Sequence, residues 1–181
     1  MDHSSGVLPS WRQASLAVRG TRLADLLETH RGELVEAMVR RLRADLVSYA
    51  SLTATEPDDL VITTCHRFID YYVDAFRRHE LPSHDSLAPV RRTAERRATS
   101  GVPMEDVMTA FHLGAEVVTE EVARRAGADD TAAVIAVQAF GFEFARLVAL
   151  AVATGYTTER QSILGEELAA RQTLVADLLA G

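Results

Sequence analysis

The side chains of this 181-residue chain that could do chemistry are few. There is one cysteine, Cys65, and five of the six histidines, His30, His66, His79, His84 and His112, show none of the H-x-x-x-H or E-x-x-H spacings that place two ligands on one helix face. The sequence therefore specifies no metal. It contains neither a Gly-rich phosphate loop nor a Gly-x-Ser-x-Gly elbow. Cys65 falls among Phe68, Ile69 and Tyr72, which reads as a small core residue and not as a thiol nucleophile. His112 borders an apolar stripe, where it either bonds a neighbouring helix or faces a cavity or a dimer contact. Glu143 and Arg146 are the unusual charges, because they lie on the most apolar segment. At i,i+3 they can pair, or they can face a ligand cavity or an interface. Nothing here supports catalysis, so the chain reads as a non-enzyme.

Composition bounds the partners. Hydrophobic residues make up 48% and charged residues 25%, ordinary for a globular domain, and the net charge is -7. All basic residues are Arg, which reads as genome composition. Arg40, Arg41 and Arg43, and Arg91, Arg92, Arg96 and Arg97, sit among acidic neighbours and read as solvated helix faces. A net acidic chain argues against a nucleic-acid-binding surface. One cysteine allows no internal disulfide and fits a reducing cytoplasm, and no signal peptide is expected from the first residues. The stretch from Val134 to Tyr156 is apolar enough to consider as a membrane span, but Glu143 and Arg146 near its middle make a core helix the better reading.

These residues must be positioned by helices, since the apolar pattern is helical nearly throughout and no Asn-Gly or Asp-Gly hairpin signal occurs. Residues 1–20 read as a flexible N-terminal arm, or as a segment with Trp11 docked on the body. Thr21–Thr29 is a short helix, and Gly32 weakens continuity after it. Leu34, Val35, Met38, Leu42, Leu46 and Tyr49 predict one four-turn helix. Thr55, Pro57 and the two acids after it predict a capped start for the next, whose stripe is Val61, Cys65, Phe68, Ile69, Tyr72 and Phe76.

A helix over about 86–100 has Leu87, Val90, Ala94 and Ala98 inward. Gly101 then suits a left-handed stop, Pro103 a first turn, and Glu105 and Asp106 the positive end of the helix that follows. That helix carries Met104, Val107, Met108, Phe111, Ala115, Val118 and Val122, with His112 about 80° round from Met104. Asp129 and Asp130 start a helix apolar on nearly all sides, with Gly141 marking a tight crossing. Residues 156–181 thin to a stripe of Leu164, Leu168, Val175 and Leu178, interrupted by Arg171. This predicts a connector helix or a dimer seam.

The run R-R-T-A-E-R-R-A-T-S-G-V-P-M-E-D-V-M-T-A-F-H-L-G resembles the N-terminal domain of PucR-type transcription regulators and of RsbR-type stressosome proteins. The A-D-L-L…L-V-E-A-M-V-R-R-L-R-A-D-L…Y-A segment and the terminal R-Q-T-L-V-A-D-L-L-A-G add to the likeness, which covers roughly residues 20–181. Met104 and Phe111 stand where the pattern more often has leucine and tyrosine. A PucR-type protein continues past this point, so the chain is expected to be an excised domain or a free-standing relative. The resemblance implies an all-α, globin-like, haem-free fold that pairs into homodimers, with no cofactor. Residues 21–155 would be a sensor and dimerisation body, and 156–181 a connector that transmits a signal. A small-molecule ligand, if sensed, is expected among Phe68, Tyr72, Phe76, Met108, Phe111, His112, Phe140 and Phe144, though such residues are more often plain core. Two alternatives stand: a haem-binding or gas-sensing protein centred on His112, and a free-standing interaction adaptor.

Overall fold

A computed structural model describes residues 11, 12, 14, 16–52 and 58–180. The expected capping residues Thr55 and Pro57 lie outside that set. Among the described residues the protein is all-α apart from one small hairpin. Strands β1 (Ala17–Val18) and β2 (Thr21–Arg22) pair antiparallel. They are joined by Arg19 and Gly20, both with positive φ (49° and 78°). Two left-handed residues are what a tight turn between right-twisted strands requires. The sequence offers only Gly20 as a cue. Arg19 is held there by tertiary contact, its backbone N–H reaching the Asp130 carboxylate at 3.2 Å.

Seven helices follow among the described residues: α1 (Leu23–Thr29), α2 (Arg31–Asp45), α3 (Val47–Leu52), α4 (Asp58–Arg78), α5 (Ala88–Thr99), α6 (Met104–Arg125) and α7 (Thr131–Ala180). The break after α1 falls at His30, and α2 runs through Gly32. The single helix expected over 34–49 is instead split at Leu46, whose backbone is extended (φ -122°, ψ 107°). Leu46, Tyr49 and Leu52 are all buried, so the chain changes direction at Leu46 while keeping the same apolar face toward the core. The Ser48 hydroxyl donates to the Asp106 carboxylate at 2.6 Å, pinning α3 to the start of α6.

The stop after α5 forms as its residues dictate. Gly101 has φ +74°, its N–H donates to the Ala98 carbonyl (3.1 Å), and the Val102 N–H donates to the Arg97 carbonyl (2.9 Å). This double closure satisfies carbonyls that the helix end leaves open. Pro103 falls one position before the helix, as the capping residue of α6, with Glu105 and Asp106 in its first turn.

The long α7 is the central element. Ala133, Ala136, Val137, Phe140, Phe144, Val148, Ala151 and Val152 form its buried face, packed chiefly against α5 and α6. By length and composition α7 could cross a membrane, but its inner face is used in the core. At Gly155 the packing reaches backbone. A Cβ added there would lie 2.4 Å from the Arg91 carbonyl oxygen of α5, closer than atoms can approach. Two polar bonds finish the same junction: the Tyr156 hydroxyl donates to the Val102 carbonyl (3.0 Å), and Thr99 Oγ1 donates to the Glu159 carboxylate (2.8 Å). From Arg160 to Gln172 the described side chains of α7 are exposed except half-buried Ile163, and Leu164 (53%) and Leu168 (58%) stand in solvent.

Gly155→Ala is expected to lower stability by about 1–3 kcal/mol, because α5 must move away, even though alanine is the better helix former. Gly165→Ala, where an added Cβ meets nothing, is expected to be neutral or stabilising by up to about 1 kcal/mol. Urea titration of both variants tests the contrast.

Candidate functional site

A cavity of about 40 Å³ lies between α2, α3, α4, α5 and α6. Its apolar walls include Met38, Val61, Phe68, Ala110 and Phe111, and its polar corner is Tyr49, Thr64, Cys65, Thr93 and Arg97. Arg97 is the unexpected member. It is only 2% exposed, although the sequence places it in a run read as a solvated face. Its place on α5 explains this: Val90, Ala94 and Ala98 share the inner face, and Arg97 lies one turn past Ala94. Its guanidinium carbon sits 5.5 Å from the centre of the Tyr49 ring, within cation–π range.

Two of the corner's hydroxyls are turned back on their own helices. Thr64 Oγ1 donates to the Leu60 carbonyl (2.9 Å), and Thr93 Oγ1 to the Pro89 carbonyl (3.0 Å). Burial pushes the Tyr49 phenol up to about 12, against the opposing pull of the Arg97 charge. Burial pushes the Cys65 thiol up to about 12 as well. Both groups keep their protons at neutral pH, so the corner presents hydrogen-bond donors.

The expected ligand residues do not form one site. Phe68 and Phe111 line the cavity. Phe68, Tyr72, Phe76, Phe140 and Phe144 pack on one another as a filled aromatic core, with Tyr72 4.7 Å from Phe140 and Phe140 stacked on Phe144 at 5.5 Å between ring centres. Trp11 closes that core from the N-terminal side, 5.1 Å from Phe140 and fully buried. Met108 is half-buried and packs against the core's edge. His112 is separated from all of these. It is exposed and lines an outer groove of about 510 Å³ with Glu116, Gln138, Gly141, Phe142 and Ala145. Glu116 and Glu120 give this groove a negative edge beside His112.

The Glu143–Arg146 pairing is replaced by a different one. Glu143 accepts from Trp11 Nε1 (3.1 Å) and from Arg12 (3.2 Å), so it anchors the N-terminal segment, while Arg146 is exposed. No spacing could have shown this partnership across more than a hundred residues. His30, Glu33 and Glu121 converge closely enough to hold a cation. Arg125 already supplies the positive charge: it bonds Glu121, lies 3.0 Å from His30 Nδ1 and donates to Glu33 at 3.1 Å. Of the seam residues, Leu164 and Leu168 are exposed on α7. Val175 and Leu178 fall on the same helix, where the side chains are outside those described.

The buried Tyr72 hydroxyl has no hydrogen-bond partner among the described residues and points at Gly141. A Cβ at Gly141 would lie 3.2 Å from it, so the glycine expected to mark a tight crossing makes room for this phenol.

In comparison with known proteins, the family model described as the RsbT co-antagonist protein rsbRD N-terminal domain matches residues 32–171. No curated protein and no solved structure matches the chain.

Two outcomes follow for the interior. Tyr72→Phe removes an unsatisfied buried hydroxyl and is expected to leave stability unchanged or raise it by up to about 2 kcal/mol in urea titration. Cys65 is expected to resist a thiol reagent at pH 8 in the native protein and to react at once in denaturant. Fast labelling of the folded chain would contradict its burial.

Proposed function

We propose, given that the chain belongs to the family of RsbT co-antagonist protein rsbRD N-terminal domains, that it is a dimerising sensor module that passes a signal along α7. The family is one of regulatory domains, which supports a regulatory role over a catalytic one. The observation that carries the reading is the continuity of α7. A single helix passes through the aromatic core, is clamped to α5 at Gly155, and then runs on for about 20 residues, or about 30 Å, past Glu159. A shift of helix packing around the core moves that extension as a lever. Leu164 and Leu168 give it an apolar edge to pair with a copy of itself or with a downstream partner. The finer role, control of transcription, accords with the PucR-type likeness of residues 91–114, and the acidic net charge assigns DNA contact to another domain or protein.

The surface offered to a second copy is the outer face of α6 and α7. Phe142 is 70% exposed and stands beside the groove lined by His112, Glu116 and Ala145, so a projecting ring and a recess share one patch. A two-fold contact needs that self-complementarity, the ring of each protomer filling the recess of the other. Ile135, Phe142 and Ala149 follow at intervals of seven along the same face. Light scattering on the eluting protein is expected to give a dimer. Phe142→Glu is expected to weaken association by at least about 100-fold while circular dichroism stays helical. A wild-type monomer at high concentration would overturn the reading.

A further inference from the structure

The groove beside Phe142 carries one group whose charge can change near neutral pH. His112, Glu116 and Glu120 stand at i, i+4 and i+8 on α6, all exposed and all lining that groove. Successive members of such a series are neighbours on one helix face. From α7 the groove receives Gln138, Gly141, Phe142 and Ala145, none of them titratable. Glu143 is turned to Trp11 and Arg12, and exposed Arg146 stands one turn past Phe142. From α2, Arg41 reaches Glu116 at 3.3 Å and Glu120 at 3.4 Å, but its shortest bond is to Asp45, at 2.8 Å. One guanidinium thus serves three carboxylates.

In a single protomer this imbalance is tolerated. The side chains of Glu116 and Glu120 are 55% and 63% exposed, so water screens them. A second copy seated on the groove removes that water, and two-fold symmetry sets two such edges in one interface. The Arg146 that arrives beside each Phe142 adds one positive charge, which leaves three carboxylates facing two arginines. A protonated His112 supplies the third cation.

We propose that His112 makes self-association through this groove pH-dependent, its protonation completing the charge balance of the covered face, so that the dimer tightens on acidification. The inference rests on the dimer reading above and supplies its regulation. Histidine is the side chain that ordinarily gains charge between pH 8 and 5. A group whose charge is matched only in the dimer binds its proton more tightly there, so association takes up protons and lower pH favours it. The input read at this face is then acidity itself, through the assembly of two copies.

The test is the dimer dissociation constant of the full chain, from light scattering over a concentration series at about pH 6 and about pH 8. Ionic strength is held fixed, and circular dichroism on the same samples checks the fold. Wild type is expected to associate about tenfold more tightly at the lower pH. His112→Gln, neutral at both, is expected to lose most of that dependence. His112→Arg, charged at both, is expected to associate at about pH 8 nearly as tightly as wild type does at about pH 6. The acidic net charge of the chain also eases as pH falls, but it does so in all three proteins. The readout is therefore the difference in pH slope between wild type and His112→Gln. The proposal is overturned by a His112→Gln protein that keeps the wild-type slope, by a wild-type dimer that loosens on acidification, or by a His112→Arg protein no tighter than wild type at about pH 8. Phe142→Glu separates the switch from the reading beneath it. A dimer that this substitution breaks but that is indifferent to pH fails only the switch. A chain monomeric at both pH values, or a dimer untouched by Phe142→Glu, fails the interface and the switch with it.

Discussion

The contact on which the rest of the molecule depends is the approach of two backbones where α7 crosses α5. Gly155 lets the helix axis come so near that the Arg91 carbonyl of α5 occupies the place a side chain would fill. Interiors pack at crystal-like density, so one such approach fixes its neighbours. With α5 held close, Val102 comes within reach of the Tyr156 hydroxyl. The Gly101 stop then sends α6 back along the other side of α7, where Gly114 admits the Phe68 ring and Gly141 the Tyr72 hydroxyl. Three glycines thus sit at three helix contacts, each where a neighbouring group comes too near for a Cβ to be easily accommodated.

Polar groups inside this framework have definite tasks. Glu143 ties the N-terminal segment to α7 through Trp11 and Arg12, and the buried indole then completes the aromatic core. Asp130 holds the Arg19 turn, and the two backbone N–H bonds that it accepts lower its pKa below the usual carboxylate value. Arg125 gathers His30, Glu33 and Glu121 where α1 and α2 meet the end of α6. These are outer ties. Arg97 lies within the core instead, beside the cavity and against the Tyr49 ring.

Much of this was legible along the chain. The stripes of α4 and α6, the Gly101 stop and the acids at the start of α6 are local matters of period and backbone preference, and they stand at the expected residues. The division of 34–49 at Leu46 was not legible, since the helical pattern continues across it without a Gly, a Pro or a capping signal at that position. Arg97 was obscured by its neighbours. Its spacing from Val90 and Ala94 places it inward, but a run of four arginines reads as surface until the face of each is drawn. His112 lies one residue after Phe111, about 100° round the helix, which carries it from the border of the stripe to the outer groove.

The sequence by itself determined the all-helical class, the register of most helices and the family, because hydrophobic period, capping and turn residues act over a few positions. The tertiary structure decided which inward-facing groups meet. It paired Glu143 with Trp11 in place of Arg146, moved the open space from the aromatic cluster to the Arg97 corner, and put His112 on the outside beside Phe142. The reason is that helical period fixes the angle of a side chain about its own axis and says nothing of the distance between axes. Here that distance was set by glycines whose absent side chains can be understood only once the partner helix is in place.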